Sequence, residues 1–167
     1  ALRQPGAEQV VAAHPSCGVC LMHMHRDPQT MQIETMAGDV LREVESFLHA
    51  RMHALLDAGV GAARLVLDPG IGFGKTVAQN FQLLAQQADL LHLGRPVLAG
   101  WSRKSALGAA LAHDGQVPEP AQRQAASVAA ALLAVQRGAS VVRVHDVKDT
   151  VDALKIWQAM NQNARPH

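Results

Sequence analysis

An α/β fold built on a parallel sheet is predicted by two features of this chain. Four short apolar runs alternate with segments of helical periodicity, and that alternation makes consecutive strands parallel, with helices as crossovers. Three of the runs pass directly into loops rich in charge or glycine: Leu67-Asp68-Pro69-Gly70-Ile71-Gly72-Phe73-Gly74-Lys75, Gly100-Trp101-Ser102-Arg103-Lys104-Ser105, and Val142-Arg143-Val144-His145-Asp146. Each loop precedes a helical pattern, so each lies at the carboxyl end of a strand, where parallel α/β proteins bind ligands.

The elements follow in order. Residues 5–13 read as a short helix with Pro5 near its start. Residues 18–24 are an apolar strand, and a polar loop with an Asp27-Pro28 turn fills 25–38. Val40, Leu41, Val44, Phe47, Leu48, Leu55 and Leu56 recur at helical intervals over 39–58, and Gly59 ends that helix. A strand at 65–67 leads through the glycine-rich loop to a helix over 78–93. A strand at 96–100, a short helix from 105 to 112 and a loop at 113–120 follow. An alanine-rich helix over 121–137 stops at Gly138, the last strand takes 141–145, and a helix over 149–161 closes the chain. Four parallel strands of this kind suit a small doubly wound sheet or part of an eight-stranded barrel.

Composition narrows the classes. With 167 residues, 49% hydrophobic and 17% charged, the chain reads as one globular domain with a core. A net charge of +1 without a Lys/Arg run gives no polyanion-binding surface. Three Phe, two Trp and no Tyr argue against base stacking. No apolar run nears the roughly 20 residues of a membrane helix. The start, Ala-Leu-Arg-Gln-Pro-Gly, does not read as a signal peptide, and without Met it is expected to lie inside a longer gene product.

Cys17 and Cys20 have redox-motif spacing, but they sit before and within the apolar run Val19-Cys20-Leu21-Met22 rather than at a helix N-terminus. They are expected to be buried or partly buried free thiols. His23 and His25 follow closely, yet strand alternation sends the four side chains to opposite faces, a poor tetrahedral zinc set. So few cysteines suggest a reducing compartment, hence the cytoplasm.

The glycine-rich loop is not a P-loop, because Pro69 stands where that motif needs glycine. Three glycines in five residues still mean tight backbone and close approach to a neighbour. Asp68 ends an apolar strand and therefore needs donors, from a neighbouring cation, a ligand edge or simply the backbone of its own turn. Arg103 and Lys104 precede a helix, against its dipole, and local rules break most often at functional sites; a solvated charge pair is the plain alternative. Arg143 and His145 share one side of the last strand, where burying both requires an anion or a carboxylate such as Asp68 or Asp146.

These residues carry a resemblance. Leu21-Met22-His23-Met24, Asp68-Pro69-Gly70-Ile71-Gly72-Phe73-Gly74-Lys75 with Asn80 downstream, Ser102-Arg103-Lys104-Ser105 and Arg143-Val144-His145-Asp146-Val147 resemble, in order and spacing, the dihydropteroate synthases of folate biosynthesis, the targets of sulfonamides. That family folds as a TIM (β/α)8 barrel, so residues 1–167 would form a single pterin-binding domain covering roughly the C-terminal half, strands five to eight. The first four strands are absent from it. The resemblance implies a transferase that joins 7,8-dihydropterin-6-methyl pyrophosphate to p-aminobenzoate.

It further implies catalytic roles for Asp68, Lys104 and Arg143. Asp68 would accept hydrogen bonds from the pterin's amino-pyrimidine edge, and Lys104 would donate to its oxo side. Met22 and Gly100 would line the pterin pocket, with Phe73 near the p-aminobenzoate entrance. Arg143 and His145 would bind pyrophosphate, and Ser105 the p-aminobenzoate carboxylate, with Ser102 and Arg103 nearby. The family's Mg²⁺ is implied too, with no ligand for it in this chain. A homodimer through the 121–137 helix or the closing helix is expected, with no nucleic-acid or membrane partner. The alternatives are a pterin-binding barrel of a folate methyltransferase and a non-catalytic half-barrel module.

Overall fold

The computed structural model describes residues 2, 4–26 and 36–164; the Asp27-Pro28 turn lies outside them. A short helix α1 (Ala7–Ala13) precedes strand β1 (Val19–Met22). Helix α2 (Val40–Asp57) starts at Asp39, whose carboxylate accepts the Leu41 and Arg42 N–H groups. A 3-10 turn (Ala62–Arg64) leads into β2 (Leu65–Asp68). The glycine-rich loop hands over to α3 (Val77–Ala85), opened by a capping box between Thr76 and Gln79. Then come β3 (Val97–Ala99), α4 (Ser105–Ala110), α5 (Gln124–Gln136), β4 (Ala139–Val142) and α6 (Val147–Gln162).

All four strands are parallel, and their order is β1-β2-β3-β4. Nothing in that order doubles back, so among the described residues there is no switch point of the doubly wound kind. The strands bury one face. Val19, Leu21, Leu65, Leu67, Val97 and Ala99 join one core cluster with Val40, Val44, Leu48 and Leu55 of α2 and Leu83 of α3. The spacing of four and three along α2 turns that apolar stripe onto the sheet. Cys20 and Val141, on the other face, are exposed, and Val66 and Leu98 are half-buried. One helical layer on a singly wound sheet is the arrangement expected of a barrel segment.

Several predicted boundaries shift. The helix over 78–93 breaks at Gln86, where α3 gives way to a 3-10 turn (Gln87–Leu93). The break lets the buried Gln87 amide donate to the Ala134 and Arg137 carbonyls at the end of α5, a tertiary contact that local periodicity does not encode. The 121–137 helix begins instead as a 3-10 turn (Pro120–Arg123). The last strand is earlier than predicted. It starts straight after Gly138, where Ala139 pairs with Val97, and ends at Val142, the partner of Ala99 at the end of β3. Cys20 is exposed rather than buried; partial burial of its thiol, then Asp68, push its pKa up, the opposite of what a redox pair needs.

Gly70 shows how tightly the loop after β2 seats. Its φ is +70°, and a Cβ there would stand 1.7 Å from the His23 carbonyl oxygen. Gly70→Ala is therefore expected to lower stability by more than about 3 kcal/mol, the range reserved for backbone strain and overpacking. The urea midpoint checks this, and an unchanged midpoint contradicts the close approach.

Candidate functional site

The carboxyl ends of the strands assemble one rim. Met22 and Asp68 are register partners on β1 and β2. Asp68 is 1% exposed, not merely partly desolvated as its position at a strand end predicts. A buried carboxylate requires donors. Its Oδ1 accepts the Gly70 N–H at 2.8 Å, and its Oδ2 accepts Arg143 Nη2 at 3.1 Å. Arg143 crosses the end of β3 to get there, and a Cβ on Gly100 would lie 2.8 Å from that same Nη2. The guanidinium thus packs directly over Gly100, and a side chain there would displace it.

Arg143 and His145 are exposed, so the cost of burying them side by side does not arise, and Arg143 takes Asp68, one of the carboxylates the sequence offers it. Arg143 follows β4 and keeps its ladder bond, N–H to Ala99 O. The His145 N–H turns instead to Ser102 Oγ at 3.1 Å. Ser102 is 5% exposed, and its Oγ lies 2.9 Å from His145 Nδ1. Ser102 therefore grips His145 rather than facing solvent.

The two cations before α4 part company. Arg103 has φ +61°, and its guanidinium pairs with Asp146, Nη2 to Oδ1 at 2.8 Å. Its N–H donates to Ser127 Oγ, and its carbonyl accepts from Arg123. These bonds commit Arg103 to bracing two loops, a role the sequence does not reveal. Lys104 instead lies over the half-buried Phe73, with Nζ 4.3 Å from the ring centroid, a cation–π contact. Burial pushes the Lys104 pKa down, the nearby Arg143 adds to that, and Asp68 opposes it. Lys104, Arg143 and Asp68 therefore sit in one another's field. Ser105 is exposed at the first position of α4, a helix of 6 residues without a side-chain cap.

Two residues escaped the sequence-level assignment of roles. Lys75 is 5% exposed beneath the glycine-rich loop. Its Nζ contacts Gly70 O at 2.8 Å, Phe73 O at 3.2 Å and His23 Nδ1 at 2.9 Å. His23 is itself buried and meets the Phe47 ring edge-on. Asn80, 3% exposed, accepts the Gly72 N–H at 2.7 Å and donates to the Lys75 and Thr76 carbonyls. The signal was present as a lysine ending a glycine run, but only folding shows that it points inward.

Known proteins resemble this chain in sequence and fold. The model of the pterin binding enzyme family matches residues 3–145. The dihydropteroate synthase of Neisseria meningitidis serogroup C is 44% identical over 98% of this chain and 56% of its own length. The chain belongs to the pterin binding enzyme family, and the relatives it resembles are dihydropteroate synthases. It spans little more than half of the relatives it matches. The crystal structure of the Stenotrophomonas maltophilia dihydropteroate synthase, with imidazole in its active site, superposes with a TM-score of 0.91 at 50% identity, over 98% of this chain and 60% of that one. The Xanthomonas albilineans dihydropteroate synthase in complex with 7,8-dihydropteroate gives 0.86 at 49% identity, over 98% of this chain and 57% of that one. The fold is thus the family's TIM barrel, of which this chain is a part, and the doubly wound alternative is set aside.

Lys75 adds a pH dependence. Burial lowers its pKa to about 7, and Asp68 only partly offsets this. Between about pH 7 and the unfolded lysine value near 10.4, the unfolded chain binds the extra proton, so stability rises with pH through that window. Below it the cost of burying the charge is borne in full. The stability of wild type relative to Lys75→Met is expected to increase from about pH 7 toward pH 10. Urea unfolding at several pH values measures it, and a flat difference refutes the burial of the amine.

Proposed function

We propose that the protein acts as a dihydropteroate synthase, with this chain supplying the pterin pocket and the leaving-group site. The observation that carries the reading is the meeting of a buried carboxylate, Asp68, with Lys104 and Arg143 on one strand-end rim. The reaction breaks the C–O bond between the pterin's methylene and the pyrophosphate. The electron pair leaves with pyrophosphate, the amine of p-aminobenzoate attacks the pterin cation, and one proton is released.

Each group suits a part of this. Asp68 accepts from the amino-pyrimidine edge, and its charge favours the developing cation. It does so with Gly70 and Arg143 already on its two oxygens, because each oxygen has a second lone pair. Lys104 donates to the pterin's oxo side. Met22 and Gly100 form the pocket wall, and Phe73, fixed under Lys104, borders the p-aminobenzoate slot. Arg143, half-exposed, and His145 face the pyrophosphate with charge-assisted donors. Ser105 is open to the p-aminobenzoate carboxylate. Arg103 serves that region by bracing it, since its guanidinium is held by Asp146.

Magnesium does not fit these residues. The described residues hold no cluster of three His, Cys, Asp or Glu side chains. No step is routed through a metal here. The free thiols Cys17 and Cys20 support a reducing cytoplasm as the site of action. An apolar groove of about 620 Å³ between α5 and α6, lined by Leu132, Leu133, Ile156, Trp157 and Met160, supports a homodimer. Ile156 is 74% exposed there and Met160 55%, so both are available to a second copy.

The full-length protein is expected to convert 7,8-dihydropterin-6-methyl pyrophosphate and p-aminobenzoate to dihydropteroate and pyrophosphate. Asp68→Asn and Lys104→Ala are expected to weaken pterin binding by about 10- to 100-fold, the worth of a hydrogen bond to a charged group. Calorimetry with a pterin decides, and unchanged affinity in both variants overturns the assignment. Ile156→Lys is expected to shift the protein toward monomer in light scattering, and a wild type that is already monomeric removes the dimer.

A further inference from the structure

We propose that Ser102 is a positioning residue that holds His145 as its Nε2–H tautomer, so that a neutral imidazole presents a fixed N–H donor to an anion at the rim. The anion's identity as pyrophosphate rests on the function proposed above; the tautomer does not.

The argument is a count of protons. A serine hydroxyl has one hydrogen to donate and two lone pairs to accept with. Ser102 Oγ accepts the His145 main-chain N–H at 3.1 Å and lies 2.9 Å from Nδ1 of the same residue. Two arrangements satisfy the second contact. If Nδ1 carries the proton, Ser102 accepts twice, and its own hydrogen is left without an acceptor in a position 5% exposed. An unsatisfied buried donor is the costlier outcome. If the hydroxyl donates to Nδ1 instead, every group is satisfied. The ring proton then resides on Nε2.

The surroundings keep the ring in place. Ser102 lies in the loop after β3 and His145 in the loop after β4. Arg103 and Asp146, the next residue in each loop, are joined by two bonds, Nη2 to Oδ1 at 2.8 Å and Nε to Oδ2 at 3.4 Å. The Arg103 N–H is in turn anchored on Ser127 Oγ at 2.9 Å. Asp146 is thereby engaged by Arg103. His145 itself is exposed.

The chemical consequence is one of sign. A neutral histidine with its proton on Nδ1 offers a lone pair at Nε2, which repels a phosphate oxygen. With the proton on Nε2 it offers a donor. A buried serine thus decides whether His145 can help hold an anion without first taking up a proton.

The test is 15N NMR of the full-length protein labelled at histidine, at about pH 8, where an ordinary imidazole is neutral. His145→Gln identifies the resonance. In wild type the nitrogen shifts are expected to show a bare Nδ1 and a protonated Nε2. Ser102→Ala is expected to mix the tautomers and to raise the Kd for inorganic pyrophosphate on the order of tenfold, the loss of one charge-assisted donor. Ser102→Thr, which keeps the hydroxyl, is expected to restore both. A wild-type ring protonated at Nδ1 overturns the proposal, as does Ser102→Ala with unchanged shifts. If Ser102→Ala unfolds, the wild-type spectrum alone decides. If pyrophosphate fails to bind while the tautomer is as assigned, the proposed function fails and the role of Ser102 is supported.

Discussion

A carboxylate buried at the end of β2 organises the functional end of this chain. Asp68 ends an apolar strand and cannot stay charged there without donors. Its two oxygens draw a main-chain N–H from the following turn and a guanidinium from beyond β4. The second of these crosses an entire strand. It ties the first half of the described sheet to its last strand, and the guanidinium passes close over Gly100, where a Cβ would make it shift. The same pairing sets the electrostatics of the rim, since Lys104 lies in the field of both partners.

Beneath that rim the glycine-rich loop is held by an interior lysine. Lys104 is close enough to act on Lys75, yet the two lysines do opposite jobs. Lys75 points inward and binds two carbonyls of its own loop and a histidine after β1. Lys104 points across Phe73 toward the open side. Asn80 closes the loop from the α3 side by accepting from Gly72. Tight backbone, not side-chain bulk, shapes this region, and the positive φ angles of Gly70, Gly72 and Gly74 are its local expression.

The loops after β3 and β4 form a second unit. Arg103 with Asp146 and Ser102 with His145 are adjacent residue pairs bonded across the same gap. Arg103 adopts a left-handed backbone conformation to do this, a strain that the surrounding bonds to Ser127 and Arg123 sustain. Two of the four residues in Ser102-Arg103-Lys104-Ser105 therefore spend their polar groups on architecture. The other two remain for a ligand.

Periodicity alone determined the alternation of helices and strands, their parallel sense and the placing of three charged loops at strand ends, because burial of one face imposes a repeat on each element. The glycine spacing likewise announced a tight turn at 70–74. Tertiary structure decided the rest. It ended β4 at Val142, because its partner strand β3 stops at Ala99. It buried Lys75 and left Arg143 and His145 exposed, since local sequence does not say which strand-end groups will meet a carboxylate. It turned Arg103 toward Asp146 and Ser102 toward His145, contacts between residues 43 positions apart. Such pairings depend on the crossing of one strand by the next, and no local pattern of residues contains that geometry.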